Sequence, residues 1–415
     1  MAGGLRPVTA LDSSEHVVVV GAGLAGWRLA QALRREGFEG AITLIGDEIH
    51  PPYDRPPLTK QVLVGKWGSE KTVLATPELV SRLDVTMRLG VSATALDLDR
   101  LSVSLDDGSR VTGTRVVIAT GTKARRLGFA ADGRIHYIRR IEDVERLNRD
   151  LDSLEPGSTV AVIGGGFIGA EAATALCTRG LRPIVFEAMA RPLIAVLGDQ
   201  VSSWLLGLAS AVGIELRVNQ EIVDVDEGDE GLVIRFADGS SLDAGAVIAG
   251  IGVLPNVEWL QSSGLVTDNG VVVDEHMLAS ERVAAIGDVA RFTWRSVSGV
   301  ESVRIEHWEV ANGHASTLAR HWMSSGENEA YMVPYFWSDQ YGKKIQMLGH
   351  ARASDHVLRV SGSDEEGTWL ALYSRDGLVT GVVTLSHPRA LMLSRHLLER
   401  PTSLDEALIE APWLN

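Results

Sequence analysis

Apolar residues fall along most of the chain in short β-branched runs, each bounded by glycine. Val17 to Val20 enter Gly21-Ala22-Gly23-Leu24-Ala25-Gly26, and Trp27 to Arg35 continue with apolar residues at helical spacing. A second run, Ala41 to Ile45, closes on Gly46-Asp47-Glu48, which completes a βαβ unit. The pattern recurs at Thr159 to Ile163, Gly164-Gly165-Gly166-Phe167-Ile168-Gly169, a helix expected over Ala170 to Arg179, and a strand from Pro183 to Glu187. Each unit precedes an expected hairpin with Asp-Gly at its turn, Asp107-Gly108 and Asp238-Gly239. β-branched strands then end in glycine, Val116 to Gly121 and Val247 to Gly252, 13 positions beyond the hairpin glycine in both halves. This matched spacing predicts an internally duplicated nucleotide-binding domain.

Beyond about residue 330 the texture changes. Strands are expected at Tyr335–Tyr341, Lys344–His350, Val357–Ser361, Trp369–Tyr373 and Val379–Leu385, with Asp376-Gly377 as a hairpin turn and a helix over Arg389–Leu398. The expected fold class is α/β: two Rossmann-like nucleotide-binding domains followed by a C-terminal α+β domain. The length of 415 residues accommodates about three such units.

Composition narrows the chemistry. A net charge of −15 opposes general binding to nucleic acid or anionic lipid. The single cysteine, Cys177, excludes an internal disulfide, a thiolate metal cage and an iron-sulfur cluster of the chain's own. It is expected in the core of the second unit's helix, and a reducing cytosol is the expected compartment. Apolar runs fall short of the roughly 18 residues a membrane helix needs. The first fifteen residues carry Arg6 and Pro7 but no continuous apolar stretch, so a disordered start is expected rather than a secretory leader. His307, His314 and His321 recur every seven residues, two helical turns apart, too far for one metal.

The three glycines of GxGxxG serve separate needs: a tight turn, close approach of backbone to pyrophosphate, and close packing of helix on strand. The helix amino terminus then faces the phosphates. One such match is weak, but two, each followed by an acid, point to two bound nucleotides. Asp47 lies 21 residues after Gly26 and Glu187 lies 18 after Gly169, near the separation of a carboxylate that receives ribose hydroxyls. The alternative for each acid is that it merely ends a strand in solvent. At the second turn Glu187 would repel a 2′-phosphate by roughly 3 to 4 kcal/mol at an effective dielectric near 20, which favours NADH over NADPH. Arg191 and Arg182 could soften that preference.

The segment Pro51-Pro52-Tyr53-Asp54-Arg55-Pro56-Pro57-Leu58-Thr59-Lys60, the strand end Ala119-Thr120-Gly121, the turn Ala285-Ile286-Gly287-Asp288 and the late Phe336-Trp337-Ser338-Asp339-Gln340-Tyr341 carry a resemblance. From about Val17 to about Leu398 the chain resembles the FAD-dependent NADH:ferredoxin reductases of oxygenase systems, which share the glutathione-reductase fold. The resemblance implies FAD on the first half and NADH on the second. The corresponding division is 1–118 with 248–325 for FAD, 119–247 for NAD, and 326–415 for the C-terminal domain. It further implies that Lys60 stands beside the reactive edge of the flavin, paired with Glu171. Arg55 and Asp47 would hold pyrophosphate and adenosine ribose, Asp288 would accept the ribityl hydroxyl, and Ala93, Arg139 and Trp308 would line FAD. Arg140 could take the contact assigned to Arg139, and Trp308 could equally be core packing. Leu24, Ala25, Thr120, Gly121 and Gly287 complete the flavin set, and Phe167, Ile168, Gly250 and Gly252 the nicotinamide set.

Disulfide reductases on this fold need a cysteine pair beside the flavin, and one-cysteine peroxide and oxygen reductases place theirs in the first helix region; neither pattern is present. No G-x-S-x-G elbow, H-E-x-x-H zinc motif or P-loop occurs. The resemblance thus implies electron transfer from NADH through FAD to a two-iron two-sulfur ferredoxin, of Rieske or all-cysteine type. Two alternatives stay open: a reductase of a small acceptor such as a quinone or semidehydroascorbate, and an NADH-sensing flavoprotein like the apoptosis-inducing-factor relatives. Monomer and dimer are both compatible with the sequence. An acidic ferredoxin would need local attraction, for which Arg295, Arg304, Lys343, Lys344 and Arg352 are candidates, with Trp337 as an aromatic contact.

Overall fold

Parallel strands covered on both faces must be apolar throughout, which is why the β-branched runs are continuous rather than alternating. In the computed structural model, which describes residues 10–129, 132–228, 231–296, 299–324 and 332–414, those runs form the centres of two units. The first comprises residues 1–54, 73–123 and 254–334; the second comprises 55–72, 124–253 and 335–415.

The first unit is built on a six-stranded sheet in the order Leu278–Ser280, Val283–Ala285, Arg115–Ile118, His16–Val20, Ala41–Gly46, Val85–Leu89. All neighbours are parallel except the first pair. Val17 to Val20 and Val116 to Ile118 are buried. The helix Leu24–Arg35 buries Trp27, Leu29 and Leu33 and packs against the helix Trp308–Met323. A hairpin layer, Ala93–Asp97, Ser102–Leu105 and Arg110–Thr112, turns at Asp107-Gly108 as expected.

The second unit repeats the scheme with four parallel strands, Glu215–Arg217, Arg182–Phe186, Thr159–Ile163 and Ala246–Ala249. Its own antiparallel layer turns at Asp238-Gly239. The five late strands form one antiparallel sheet ordered Tyr335–Gln340, Lys343–Gly349, Leu378–Leu385, Thr368–Arg375, His356–Ser363. Asp376 (φ 53°) and Gly377 (φ 76°) close its hairpin with the two positive φ angles such a turn requires.

Details differ from expectation towards the ends of the chain and at Cys177. The helix expected over Arg389–Leu398 is two pieces, Pro388–Leu393 and a 3₁₀ turn Arg395–Leu398. Between them the buried Ser394 donates its hydroxyl to Ala390 O at 2.8 Å, a back-bond that bends helices. A further helix, Leu404–Glu410, was not expected; a capping box starts it, in which Ser403 Oγ accepts from the Glu406 N–H at 3.2 Å while Glu406 Oε2 accepts from the Ser403 N–H at 2.8 Å. Cys177 is exposed rather than in the core, because it sits in the last turn of the helix Phe167–Thr178, past the covered stretch that ends at Leu176. Of the first fifteen residues, where a disordered start was expected, 1–9 lie outside the described residues, whereas Leu11 is buried and its N–H bonds Trp322 O at 2.9 Å.

Candidate functional site

In the first unit the turn after Val20 divides its three glycines by the space around each. A β-carbon on Gly21, whose φ is +124°, would lie 2.1 Å from Ala119 O, so here the turn presses on the neighbouring strand end. A β-carbon on Gly26 would lie 2.1 Å from Gly21 O, the close packing of helix on turn. Around Gly23 no heavy atom would come within 4 Å. Gly23 is also the N-cap of Leu24–Arg35, and no side chain caps that helix. Open space above an uncapped helix start is the surrounding a pyrophosphate needs.

The other candidate residues of this unit gather around that turn in part. A β-carbon on Gly287 would meet the Ala25 methyl at 2.8 Å, so the Gly287-Asp288 turn seats directly on the first turn of the fingerprint helix. Asp47 is exposed immediately after Gly46, at the end of the strand parallel to His16–Val20. Thr120 is pinned by Asn256: its hydroxyl donates to Asn256 O at 2.9 Å, Asn256 Nδ2 donates to Thr120 O at 2.9 Å, and the Asn256 N–H bonds Gly121 O at 3.0 Å. Trp308 donates its indole N–H to Asp54 at 2.7 Å, with the Arg28 guanidinium 5.5 Å over its ring. Ala93 opens the hairpin layer, paired with Leu105.

Sequence reasoning missed the supporting roles of two residues. Asn256 is one. His314 is the other: fully buried, its Nδ1 accepts the Gly287 N–H at 3.1 Å, and its ring packs edge-on to Phe292 at 4.5 Å. Burial pushes its pKa down to about 3, so the ring is neutral and can accept. No sequence pattern distinguishes such a histidine from any other on an apolar helix face. Among the described residues no group of three or more His, Cys, Asp or Glu could hold a metal.

The second unit repeats the division. A β-carbon on Gly164 (φ +98°) would lie 2.5 Å from Gly250 O, one on Gly169 would lie 1.9 Å from Gly164 O, and one on Gly166 would meet nothing nearer than Gly250 O at 3.9 Å. Gly166 is the N-cap of Phe167–Thr178, again with no side-chain cap. Ile168 is partly exposed on that helix's first turn, and Phe167 packs edge-on to Phe336 at 5.2 Å. Gly250 bonds Ile163 O at 2.8 Å, and Gly252 O accepts from the Arg125 N–H at 3.0 Å. Glu187 accepts N–H groups from Gly165 at 3.0 Å and Met189 at 2.9 Å.

Within the same unit stands a polar cluster. Lys60 Nζ lies 2.8 Å from Glu171 Oε2. The buried Glu171 carboxylate also accepts the Thr59 hydroxyl at 2.6 Å, the Ser338 hydroxyl at 2.7 Å and the Asp339 N–H at 3.2 Å. With four donors its charge is satisfied without water, which is what a buried carboxylate requires. Arg55 donates to Arg139 O at 2.5 Å, and the N–H groups of Arg139 and Arg140 both bond Asp143 at the start of the helix Ile141–Asp152. The candidate docking cations are engaged within the chain: Arg295 with Glu275 at 2.7 Å, Arg304 with Glu306 at 2.5 Å, Lys344 with Asp339 at 2.6 Å, and Lys343 with Gly367 O at 3.0 Å.

Residues 15–315, which contain both glycine cradles, match a family model described as pyridine nucleotide-disulphide oxidoreductase, and residues 335–413 match one described as reductase C-terminal. The chain belongs to the pyridine nucleotide-disulphide oxidoreductase family. Among its relatives in this family is the ferredoxin--NAD(+) reductase component of the p-cumate 2,3-dioxygenase system of Pseudomonas putida, 33% identical over 97% of this chain and 98% of the relative. Putidaredoxin reductase of Pseudomonas putida is 32% identical over 94% and 92%. Among solved structures, the covalent putidaredoxin reductase–putidaredoxin complex superimposes with a TM-score of 0.89 at 31% identity, covering 97% of this chain and all of that one. Reductases of the family use FAD and NAD(H). The two uncapped, open cradles fit those groups. The family name notwithstanding, one exposed cysteine cannot form a disulfide within the chain.

Proposed function

We propose that this oxidoreductase takes electrons from NADH and delivers them to a two-iron two-sulfur ferredoxin that serves an oxygenase. The observation that carries the reading is the pair of equivalent cradles in a chain with a single, exposed cysteine: two nucleotides and no sulfur relay. FAD, when bound, supplies the conversion from a two-electron hydride donor to one-electron transfer.

Each residue then has a task of binding or placement. The open space at Gly23, with the N–H groups of Leu24 and Ala25, would receive the FAD pyrophosphate, and Asp47 its adenosine ribose. Gly166, with Phe167 and Ile168, would receive the NADH pyrophosphate and Glu187 its ribose. Glu171 holds Lys60 as a fixed positive charge, suited to stabilise negative charge on a reduced ring. No side chain acts as a nucleophile. The domain division is FAD-binding over 1–118 with 248–325, NAD-binding over 119–247, and C-terminal over 326–415. The acceptor belongs to a class that spans Rieske and all-cysteine clusters, and the single thiol suits the reducing cytoplasm. Among the described residues no helix is long and apolar enough to cross a membrane.

Anaerobic titration of the purified protein with NADH, followed by absorption, tests donor and flavin together: bleaching with one equivalent is expected. Turnover with a two-iron ferredoxin should exceed turnover with a quinone or semidehydroascorbate. A colourless protein that takes up no FAD, or slow turnover with every acceptor, overturns the reading.

A further inference from the structure

We propose that Asp199 determines coenzyme specificity at the second glycine turn by withholding Arg191 from a 2′-phosphate, an inference that rests on the NADH reading of that turn. Glu187 is locked at the mouth of the turn by the Gly165 and Met189 N–H groups, one to each carboxylate oxygen. A β-carbon on Gly165 would lie 3.3 Å from Glu187 Oε2 and 3.2 Å from Pro192 Cγ. The loop from Glu187 to Pro192 therefore folds back over the glycine turn and carries Arg191 with it.

Three arginines bear on this unit's parallel sheet. Arg182 opens the strand Arg182–Phe186 whereas Glu187 follows its end, and five residues of parallel strand span about 16 Å, too far for Arg182 to serve the same ribose. Arg217 lies over the Phe186 ring at 5.5 Å and closes on Glu215 at 2.7 Å. Arg191 is the one on Glu187's own loop, and its guanidinium is ion-paired with Asp199.

A break in the helix places Asp199. Gly198, at φ 73° and ψ 172°, interrupts Ile194–Leu205, and a β-carbon there would press within 3.3 Å of Ala353 O. The helix restarts at Asp199, whose carboxylate stands at that start and faces Arg191. Glu187, Arg191 and Asp199 together carry one net negative charge. A neutral 2′-hydroxyl can donate to Glu187, whereas a 2′-phosphate needs a guanidinium that Asp199 already occupies. Removing the Asp199 charge makes the trio neutral and releases Arg191.

The test uses the FAD-loaded protein, with NAD⁺ and NADP⁺ as calorimetric probes that bind without turnover. Asp199→Asn should tighten NADP⁺ about fivefold, the scale of one exposed ion pair, and leave NAD⁺ within about twofold. The kcat/KM for NADPH should rise in step. In Asp199→Asn/Arg191→Ala the gain should vanish. Unchanged NADP⁺ affinity in Asp199→Asn with NAD⁺ binding intact, or a gain that survives loss of Arg191, overturns the inference. Absence of NAD⁺ binding by the unmodified protein overturns the NADH reading itself.

Discussion

Ser338 donates its hydroxyl to Glu171 Oε1 at 2.7 Å, while Lys60 binds the other carboxylate oxygen at 2.8 Å. A residue of the late strand Tyr335–Gln340 thus positions the acid that positions the lysine. A hydrogen bond to a charged group contributes about 1.5–3 kcal/mol. Ser338→Ala is expected to slow flavin reduction by NADH several-fold in stopped-flow absorption, with Ser338→Thr restoring most of the rate. Lys60→Ala should slow it further and destabilise folding by about 3 kcal/mol, the low end for a broken buried pair because three other donors still face Glu171. Unaltered reduction rates in Lys60→Ala would remove the proposed role.

The glycines of each turn should separate folding from binding. Gly26→Ala and Gly169→Ala place a methyl about 2 Å from the carbonyl oxygens of Gly21 and Gly164, and both variants should misfold. Gly23→Val and Gly166→Val meet open space at ordinary extended backbone angles, so both should fold. Gly23→Val should purify without flavin. Gly166→Val should keep FAD and lose NADH binding. Flavin content and NADH titration measure the contrast; retention of FAD by Gly23→Val would contradict the pyrophosphate assignment.

Acid should destabilise the helix Trp308–Met323 early. Burial lowers His314 to about 3 and His307 and His321 to about 4, each below the ordinary 6.5. Between pH 6.5 and those values the unfolded chain binds protons that the folded chain does not, so stability falls as pH falls. His314 by itself contributes a slope of about 1.4 kcal/mol per pH unit over that window. His314→Gln keeps an acceptor for the Gly287 N–H and removes the titration. Its urea midpoint should therefore decline less between pH 6.5 and 5 than that of the unmodified protein.

Lys344 and Asp339 form a pair about two-fifths exposed on both sides, worth at most about 1 kcal/mol. Lys344→Glu should leave thermal stability nearly unchanged. With an acidic ferredoxin it should lower kcat/KM at low salt, and the difference should shrink at 0.5 M salt as screening shortens the range of the charge. An effect that persists at high salt would show contact rather than steering.

The alternation of β-branched runs with glycine turns was sufficient to locate both fingerprints, both hairpins and all five strands of the late sheet. These depend on local rules: strands buried on both faces must be apolar, and only glycine accepts the contacts at Gly21 and Gly164. Segment ends were less legible. The Ser394 break arises from a hydroxyl bonding its own helix, and the exposure of Cys177 from where covering residues stop; neither leaves a periodic trace. The Ser403–Glu406 capping box was readable and marks a helix that periodicity alone did not announce.

Local sequence thus determined the elements and the geometry of the two turns, because each motif closes within a few dozen residues. The tertiary structure decided which distant side chains complete them. Asn256 lies 136 residues from Thr120 and Ser338 lies 167 from Glu171. His314 reaches Gly287 only because one helix packs beside that turn. Partners at such separations are chosen by packing, since a hydroxyl, an amide or an imidazole carries no mark in the chain of the group it will meet.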